Sequence, residues 1–137
     1  MRTPEEILRQ TRTIALLGAS PNPNRPAHGV MRYLLEQGYR VIPVRPLDVD
    51  EVLGIPCVGS LAEIDEPIDL VDVFRRAEAA PGHAREAVAV GAKAFWLQLD
   101  LHSDEARTIC EDAGIDYVED HCTAIEHRRL AENGAQT

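Results

Sequence analysis

Two kinds of segment alternate along the chain. Short runs of β-branched and other apolar residues, typical of strands buried on both faces, are followed by amphipathic segments that end near glycine. This alternation is the pattern of a parallel sheet whose strands are joined by crossover helices. It predicts five strands, at residues 13–17, 39–44, 69–74, 93–97 and 115–118.

Helices are predicted around these strands. Thr3 is expected to cap a first short helix that opens at Pro4, and Glu6 completes a capping box. Apolar residues spaced along one face from 30 to 35 predict a helix that ends at Gly38. Residues 46–60 contain several glycines and prolines and predict a loop. The remaining predictions are a brief helical turn at 61–64 and helices at 84–90, 104–113 and 123 to about 130.

The pattern favours one α/β domain over residues 1–137. Right-handed crossovers joining five parallel strands predict an open, doubly wound, Rossmann-like sheet with helices on both faces and the strand order 3-2-1-4-5. Ligands of such sheets bind beyond the carboxyl ends of the strands, where the order reverses. In the predicted order that place lies between the first and fourth strands, with Gly18 to Ser20 on one side and Gln98 on the other.

Charge and cysteine content narrow the classes of function. The formal net charge of −9 disfavours sequence-independent binding to nucleic acid or to an anionic membrane. An anionic ligand must therefore be held by local groups. The three cysteines show no C-x-x-C spacing, which argues against a disulfide framework or a zinc ribbon. Since the chain starts with acidic residues and has no long apolar run, we expect a soluble cytoplasmic protein.

The loop after the first strand has the composition of a phosphate site. Gly18, Ala19 and Ser20 can direct backbone N–H groups and a hydroxyl at an anion, and the next helix adds its positive N-terminus. The run is not a complete G-x-G-x-x-G fingerprint, because Ser20 and Pro23 stand where glycines are required. A plain strand-to-helix turn is the alternative interpretation.

The end of the second strand indicates which nucleotide is preferred. NAD-binding proteins place an acidic residue there, whereas this chain has Val44, Arg45 and Pro46. An arginine favours a ribose that carries an extra phosphate, as in NADP and coenzyme A. A solvated surface arginine is the alternative. Arg25, Arg75 and Arg76 are expected to converge on the same rim if the strand order is right.

The runs 14–20 and 25–30 resemble the small bacterial and archaeal coenzyme A-binding proteins, which are relatives of the nucleotide-binding domain of the succinyl-CoA synthetase alpha subunit. The resemblance extends over nearly the whole chain. It implies coenzyme A as the cofactor, with the pyrophosphate on Gly18, Ala19 and Ser20. It further implies phosphate contacts from Arg25 and Arg45 and a pocket wall at Phe74 and Arg75. Many relatives have Val-Asn-Pro where this chain has Val44, Arg45 and Pro46, and Gln98 is the polar group expected to face the ligand.

No catalytic residue and no metal ligand is assigned from the sequence. The ligase relatives carry a phosphorylated histidine on a second domain, which this chain does not supply. His28 is expected to be exposed or to cap a helix, and Cys122 to be a buried structural cysteine, with a mixed disulfide to coenzyme A as the alternative.

Three hypotheses for the function are open. The first is a stand-alone module that binds coenzyme A or acyl-CoA without turnover. The second is an NADP-dependent oxidoreductase, and the third is a nucleotide-dependent regulatory module. A protein partner or a homo-oligomer is compatible with each of them.

Overall fold

The computed structural model describes residues 1–135. Its helices are α1 (Pro4–Gln10), α2 (Pro26–Glu36), α3 (Ala80–Ala89), α4 (Asp104–Ala113) and α5 (Thr123–Ala135). Its strands are β1 (Thr13–Leu17), β2 (Arg40–Val44), β3 (Glu51–Val52), β4 (Ile55–Pro56), β5 (Leu70–Val73), β6 (Ala94–Leu97) and β7 (Asp116–Val118). Single helical turns lie at Leu61–Glu63 and Ala77–Ala79. No helix within residues 1–135 combines the length and the apolar character that a bilayer crossing requires.

Local sequence signals set most of these boundaries. The capping box of α1 is present, because the Thr3 hydroxyl accepts from the Glu6 N–H and the Glu6 carboxylate accepts from the Thr3 N–H. α4 begins after Ser103, whose hydroxyl accepts from the Ala106 N–H, and ends at Gly114 in the left-handed conformation. α3 begins at Ala80, four residues earlier than the pattern predicts, with Pro81 in its first turn.

The central sheet has five parallel strands in the order β2-β1-β5-β6-β7, which confirms the α/β Rossmann-like class. The outer side of β2 is occupied by Val58, which forms a parallel bridge with Val44. Its N–H donates to the Pro43 carbonyl and its carbonyl accepts from the Arg45 N–H, each at 3.0 Å. In the numbering of the five predicted strands the observed order is 2-1-3-4-5, and the order 3-2-1-4-5 holds when this bridge is counted as the third strand.

The third position is filled by a different part of the chain from the one predicted. The segment predicted as a plain loop, residues 46–60, contains the antiparallel hairpin β3-β4, which leads the chain back along β2 to Val58. The run 69–74, predicted as the third strand, forms β5 and lies directly beside β1. It therefore takes the fourth position, because Val58 already occupies the place outside β2.

Two hydrophobic clusters cover the two faces of the sheet. Along β1, Ile14 and Leu16 point toward α1, α2 and α5, whereas Ala15 and Leu17 point toward α3 and α4. This strict alternation, repeated along β5 and β6, explains why the strands read as continuous apolar runs. The predicted helices on both faces are confirmed, and the loops at the carboxyl ends of the strands are left to form a site.

Candidate functional site

A cavity of about 820 Å³ opens at the carboxyl ends of β2, β1, β5 and β6. The chain leaves β1 toward β2 on one side and later returns to β5 on the other, so the end of β1 is a topological switch point. The predicted position between the first and fourth strands is wrong in this respect, because β5 lies between β1 and β6. Phe74 follows the strand beside β1, and Gln98 follows β6, one strand farther away. Nine of the ten predicted site residues line the cavity: Gly18, Ala19, Ser20, Arg25, Arg45, Pro46, Phe74, Arg75 and Gln98.

The tenth predicted residue, Val44, does not line the cavity. Its side chain is buried in the cluster on the α3 and α4 face, because alternation along β2 turns it inward. Its carbonyl accepts from the Gly18 N–H at 3.0 Å, so its backbone holds the first loop. Arg76, expected at the same rim, also lines the cavity, and the wall contains further residues that were not predicted: Pro26, Ala27, Val30, Leu99, Asp100, Leu101 and Cys122.

Gly18 stands where the chain passes between β2 and β5. Its φ is +85°, a left-handed conformation that favours glycine. A Cβ at this position would overlap the Phe74 carbonyl oxygen and lie 3.0 Å from the carbonyl carbon. The Phe74 N–H in turn donates to the Leu17 carbonyl at 2.9 Å. Only glycine fits this close approach of two backbones, which brings the loop directly beneath the cavity.

Hydrogen bonds to the hydroxyl and the carbonyl of Ser20 hold the loop after β1 in place. The Ser20 hydroxyl oxygen accepts from the Asn22 N–H at 3.1 Å, which leaves its hydrogen to donate elsewhere. His28 is buried, and its Nδ1–H donates to the Ser20 carbonyl at 2.9 Å while Arg32 donates to its Nε2 at 3.0 Å. The expectation of an exposed or capping His28 is therefore wrong. The imidazole fixes the loop through the backbone, and no composition signal marks this role.

The N-terminus of α2 faces the cavity through Arg25, Pro26 and Ala27. Arg25 makes no side-chain capping bond, and the first turn of α2 holds no acidic residue, unlike those of α1, α4 and α5. The positive end of the helix is thus not neutralised by its own side chains. This arrangement can receive an anion.

Arg45 is anchored by several hydrogen bonds. Its guanidinium donates to the Ala19 carbonyl at 3.0 Å, to Asp48 Oδ1 at 3.1 Å and to the Pro46 carbonyl at 3.4 Å. Five N–H groups are available, so two are left for a ligand. An incoming phosphate competes with the Asp48 carboxylate for this arginine. Within residues 1–135, Arg25, Arg75 and Arg76 form no ion pair, so their charges add to that of Arg45.

The opposite end of the cavity is more apolar. Leu99, which is 52% exposed, lines this side together with Asp100 and Leu101, and Cys122 is half-buried immediately before α5. Cys122 is thus a wall residue and not the fully buried cysteine expected from the sequence. Gln98 lies between the two ends, and its side-chain amide donates hydrogen bonds to Asp72 and Thr123.

Asp72 is fully buried in β5. Its carboxylate accepts from Gln98 Nε2 and, at 2.9 Å, from the Thr123 hydroxyl. Burial raises the pKa of Asp72 to about 7, and the two hydrogen bonds lower it in part. In the part of the chain that the structure describes, no Lys or Arg pairs with this carboxylate.

Among residues 1–135, no three His, Cys, Asp or Glu side chains are placed to hold a metal ion. Near the end of the chain, His121 bonds Glu126 at 3.0 Å, whereas His127 bonds the Tyr33 hydroxyl at 2.8 Å. These side chains have separate partners and do not converge on one point.

The strand order gives the cavity a direction. From β2 through β1 and β5 to β6, three strand spacings of about 4.8 Å make about 14 Å. Arginines and the α2 N-terminus line the β2, β1 and β5 side, whereas Leu99, Leu101 and Cys122 line the far side. The arrangement suits an extended ligand that has several phosphates at one end and a neutral arm at the other.

Comparisons with known proteins identify the family and related folds. Residues 12–128 match the model of the family described as CoA binding domain. The Bacillus subtilis protein YneT is 42% identical over 123 residues, which cover 90% of each chain. A solved Thermus thermophilus structure, cell-free ID.343, has a TM-score of 0.88 at 43% identity and covers 94% of this chain and 99% of its own. An ADP-forming acetate–CoA ligase of Archaeoglobus fulgidus is 25% identical over 138 residues, which cover 93% of this chain but 20% of the ligase.

Proposed function

The chain belongs to the CoA binding domain family, and from this membership we propose that it binds coenzyme A or an acyl-CoA in the cavity at the switch point. The family match bears out the resemblance seen in the sequence. The observation that supports this ligand best is the convergence of four arginines and one helix N-terminus on a single cavity of a chain whose net charge is −9.

The phosphate groups are assigned to the cationic side. The N–H groups of the loop from Gly18 to Ser20 and of the first turn of α2 would hold the pyrophosphate, since an anion there meets backbone donors and the helix dipole together. Arg45, with Arg25, Arg75 and Arg76 nearby, would hold the ribose phosphate. The neutral pantetheine arm would then run past Phe74 toward Gln98 and Leu99.

The proposed activity is binding without turnover. The chain spans about a fifth of the acetate–CoA ligase it resembles, so the chemistry of that ligase is not transferred to it. We assign no catalytic residue. The three cysteines are unpaired in the described structure, which supports a reducing compartment such as the cytoplasm.

Ligand identification tests the proposal directly. The purified protein is denatured and any copurified nucleotide is identified by mass spectrometry. The nucleotide-free protein is then titrated with coenzyme A, NADP and NAD by calorimetry. We expect coenzyme A to bind most tightly. A preference for NADP would instead support the oxidoreductase hypothesis and overturn ours.

The ribose phosphate assignment needs its own test, in which Arg45→Glu is titrated with coenzyme A and with dephospho-CoA. Loss of a charge-assisted hydrogen bond, about 1.5 to 3 kcal/mol, predicts an affinity for coenzyme A about 10- to 100-fold weaker and a smaller loss for dephospho-CoA. Arg85→Glu makes the same charge change at an exposed position of α3 and serves as the control. Equal losses for both ligands would show that Arg45 does not contact the ribose phosphate.

A further inference from the structure

A closed ring of hydrogen bonds lies under the Gln98 side of the cavity. Gln98 Nε2 donates one hydrogen to Asp72 Oδ1 and the other to Thr123 Oγ1, the latter at 3.0 Å. The Thr123 hydroxyl then donates to Asp72 Oδ2 at 2.9 Å. Three donor hydrogens therefore meet three acceptor sites, which uses every donor of these three side chains.

The ring leaves one polar atom of Gln98 without a protein partner. Within residues 1–135, no donor bonds Gln98 Oε1. Every fully buried side-chain nitrogen or oxygen in this part of the chain does have a partner, so Oε1 is not fully buried. Oε1 must therefore reach open space, and Gln98 borders the cavity. The cavity thus receives a hydrogen-bond acceptor from a side chain that is itself only 5% exposed.

The direction of the amide is fixed by Asp72. With Asp72 ionised, a flipped Gln98 would turn Oε1 onto the carboxylate and place two acceptors in contact, while its Nε2 lost two buried partners. Asp72 lies on the face of β5 that packs against α5, where its neighbours Leu70 and Trp96 are apolar. A buried carboxylate is costly at such a position, whereas an apolar side chain would not be. What the carboxylate adds is a pair of acceptor oxygens facing Gln98 and Thr123.

We propose that Asp72 is a positioning residue that, with Thr123, orients Gln98 so that its Oε1 accepts a hydrogen bond from an amide N–H of the pantetheine arm. This inference rests on the proposed function, because it names the part of the ligand at this end of the cavity. Phosphate, ester and thioester oxygens carry no donor and are disfavoured beside Oε1. The fixed acceptor therefore selects an amide-bearing arm and sets its register along the cavity.

A double-mutant cycle on ligand affinity tests the positioning role. Gln98→Met keeps the length of the side chain and removes the acceptor, and Asp72→Leu keeps the volume and removes the two carboxylate oxygens. We expect coenzyme A to bind about 5- to 15-fold more weakly to Gln98→Met and about 3- to 10-fold more weakly to Asp72→Leu. In the double variant, Asp72→Leu should add less than twofold, since the amide it orients is gone. Additive losses would overturn the proposal.

Two ligands separate the arm from the nucleotide. Adenosine 3′,5′-bisphosphate lacks the pantetheine arm, so its affinity should change less than twofold in all three variants. Acetyl-CoA has the arm but no thiol S–H, and it should lose as much affinity as coenzyme A. A loss confined to coenzyme A would place the thiol, and not the amide, beside Gln98 and would overturn the assignment.

Controls keep failure of folding and failure of the proposed function apart. Asp72→Asn retains an acceptor for Gln98 and should restore coenzyme A affinity to within about threefold of the wild type. An asparagine variant as weak as the leucine variant would contradict the positioning role. If Asp72→Leu does not fold, the test rests on Gln98→Met, and unchanged coenzyme A affinity in that variant overturns the proposal. If the wild type does not bind coenzyme A, the proposed function itself fails.

Discussion

Substitution of Gly18 by alanine should damage both stability and ligand binding. The left-handed backbone at φ +85° costs an alanine about 1 kcal/mol. The new Cβ would overlap the Phe74 carbonyl oxygen, and because this is backbone, the overlap is relieved only if β1 and β5 separate at their ends. That movement weakens the bond from Phe74 N–H to Leu17, worth about 1 kcal/mol, and residual overpacking of the new Cβ costs about 1 kcal/mol or more. We expect a total loss of about 2 to 4 kcal/mol in the free energy of unfolding.

Two other glycines of this chain provide matched controls. Gly38 has φ +94°, and a Cβ added there would meet no atom within 4 Å, so Gly38→Ala should cost only the conformational term of about 1 kcal/mol. Gly29 lies in α2 with open space around it, and Gly29→Ala should stabilise the protein by up to about 1 kcal/mol.

Urea unfolding followed by circular dichroism measures these differences. A loss of 2 to 4 kcal/mol corresponds to a midpoint about 1 to 2 M lower for Gly18→Ala. Calorimetry should show coenzyme A affinity reduced at least tenfold in Gly18→Ala and unchanged in the two controls. If Gly18→Ala is no less stable than Gly38→Ala, the close approach of the two backbones does not constrain this loop and the reasoning is refuted.

Three further predictions concern charge and reactivity. The pKa of Asp72 is near 3.8 in the unfolded chain and about 7 in the folded protein, so ionisation of Asp72 favours the unfolded chain. As pH rises from 4 to 8, the free energy of unfolding of the wild type should therefore fall by about 4 kcal/mol relative to that of Asp72→Asn. Urea unfolding of both proteins at the two pH values checks this, and a constant difference would contradict it. Asp48→Asn removes a competitor for Arg45 and should tighten coenzyme A binding about 2- to 5-fold at low salt and less at high salt. Asp112→Asn, at an exposed position of α4, should have no effect in the same titration. Coenzyme A should slow the alkylation of Cys122 by iodoacetamide, read by peptide mass spectrometry, because this thiol borders the cavity. Cys57 lies outside the cavity wall, and only the charge of nearby Arg45 acts on its thiol, so ligand should slow it much less than Cys122. Equal protection of both thiols would point to a global effect of binding.

The strands and helices with strong periodic signals were predictable from the sequence. The apolar run 13–17 and the capping pair of Thr3 and Glu6 depend on near neighbours in the chain, and both occur as predicted. The hairpin β3-β4 was not predictable, since its strands have two residues each and show no period. Its turn places Leu53 and Gly54 at φ +52° and +78°, and leucine is not a residue that marks such a turn.

The residues of the cavity wall that come directly after a strand were predictable from the sequence. Gly18, Arg45 and Gln98 each come directly after a strand, so the rule about carboxyl ends of parallel strands locates them. The supporting contacts were not predictable. Asp72 lies 26 residues from Gln98 and 51 from Thr123, and the three meet only because β5 pairs with β6 and α5 begins beneath them. Sequence spacing carries no signal for a contact made by tertiary packing.

The return of the chain along β2 has a consequence for association. A sheet normally offers the free N–H and C=O groups of its outermost strand to another chain, which invites strand addition and aggregation. At the end of β2, the carbonyl of Pro43 and the N–H of Arg45, the residue after the strand, are already satisfied by Val58, and Pro43 itself has no N–H to offer. The carboxyl end of this edge is therefore closed to an incoming strand. Strand addition at the end of β2 is therefore disfavoured, whereas this contact does not affect β7, the outermost strand at the other edge of the sheet.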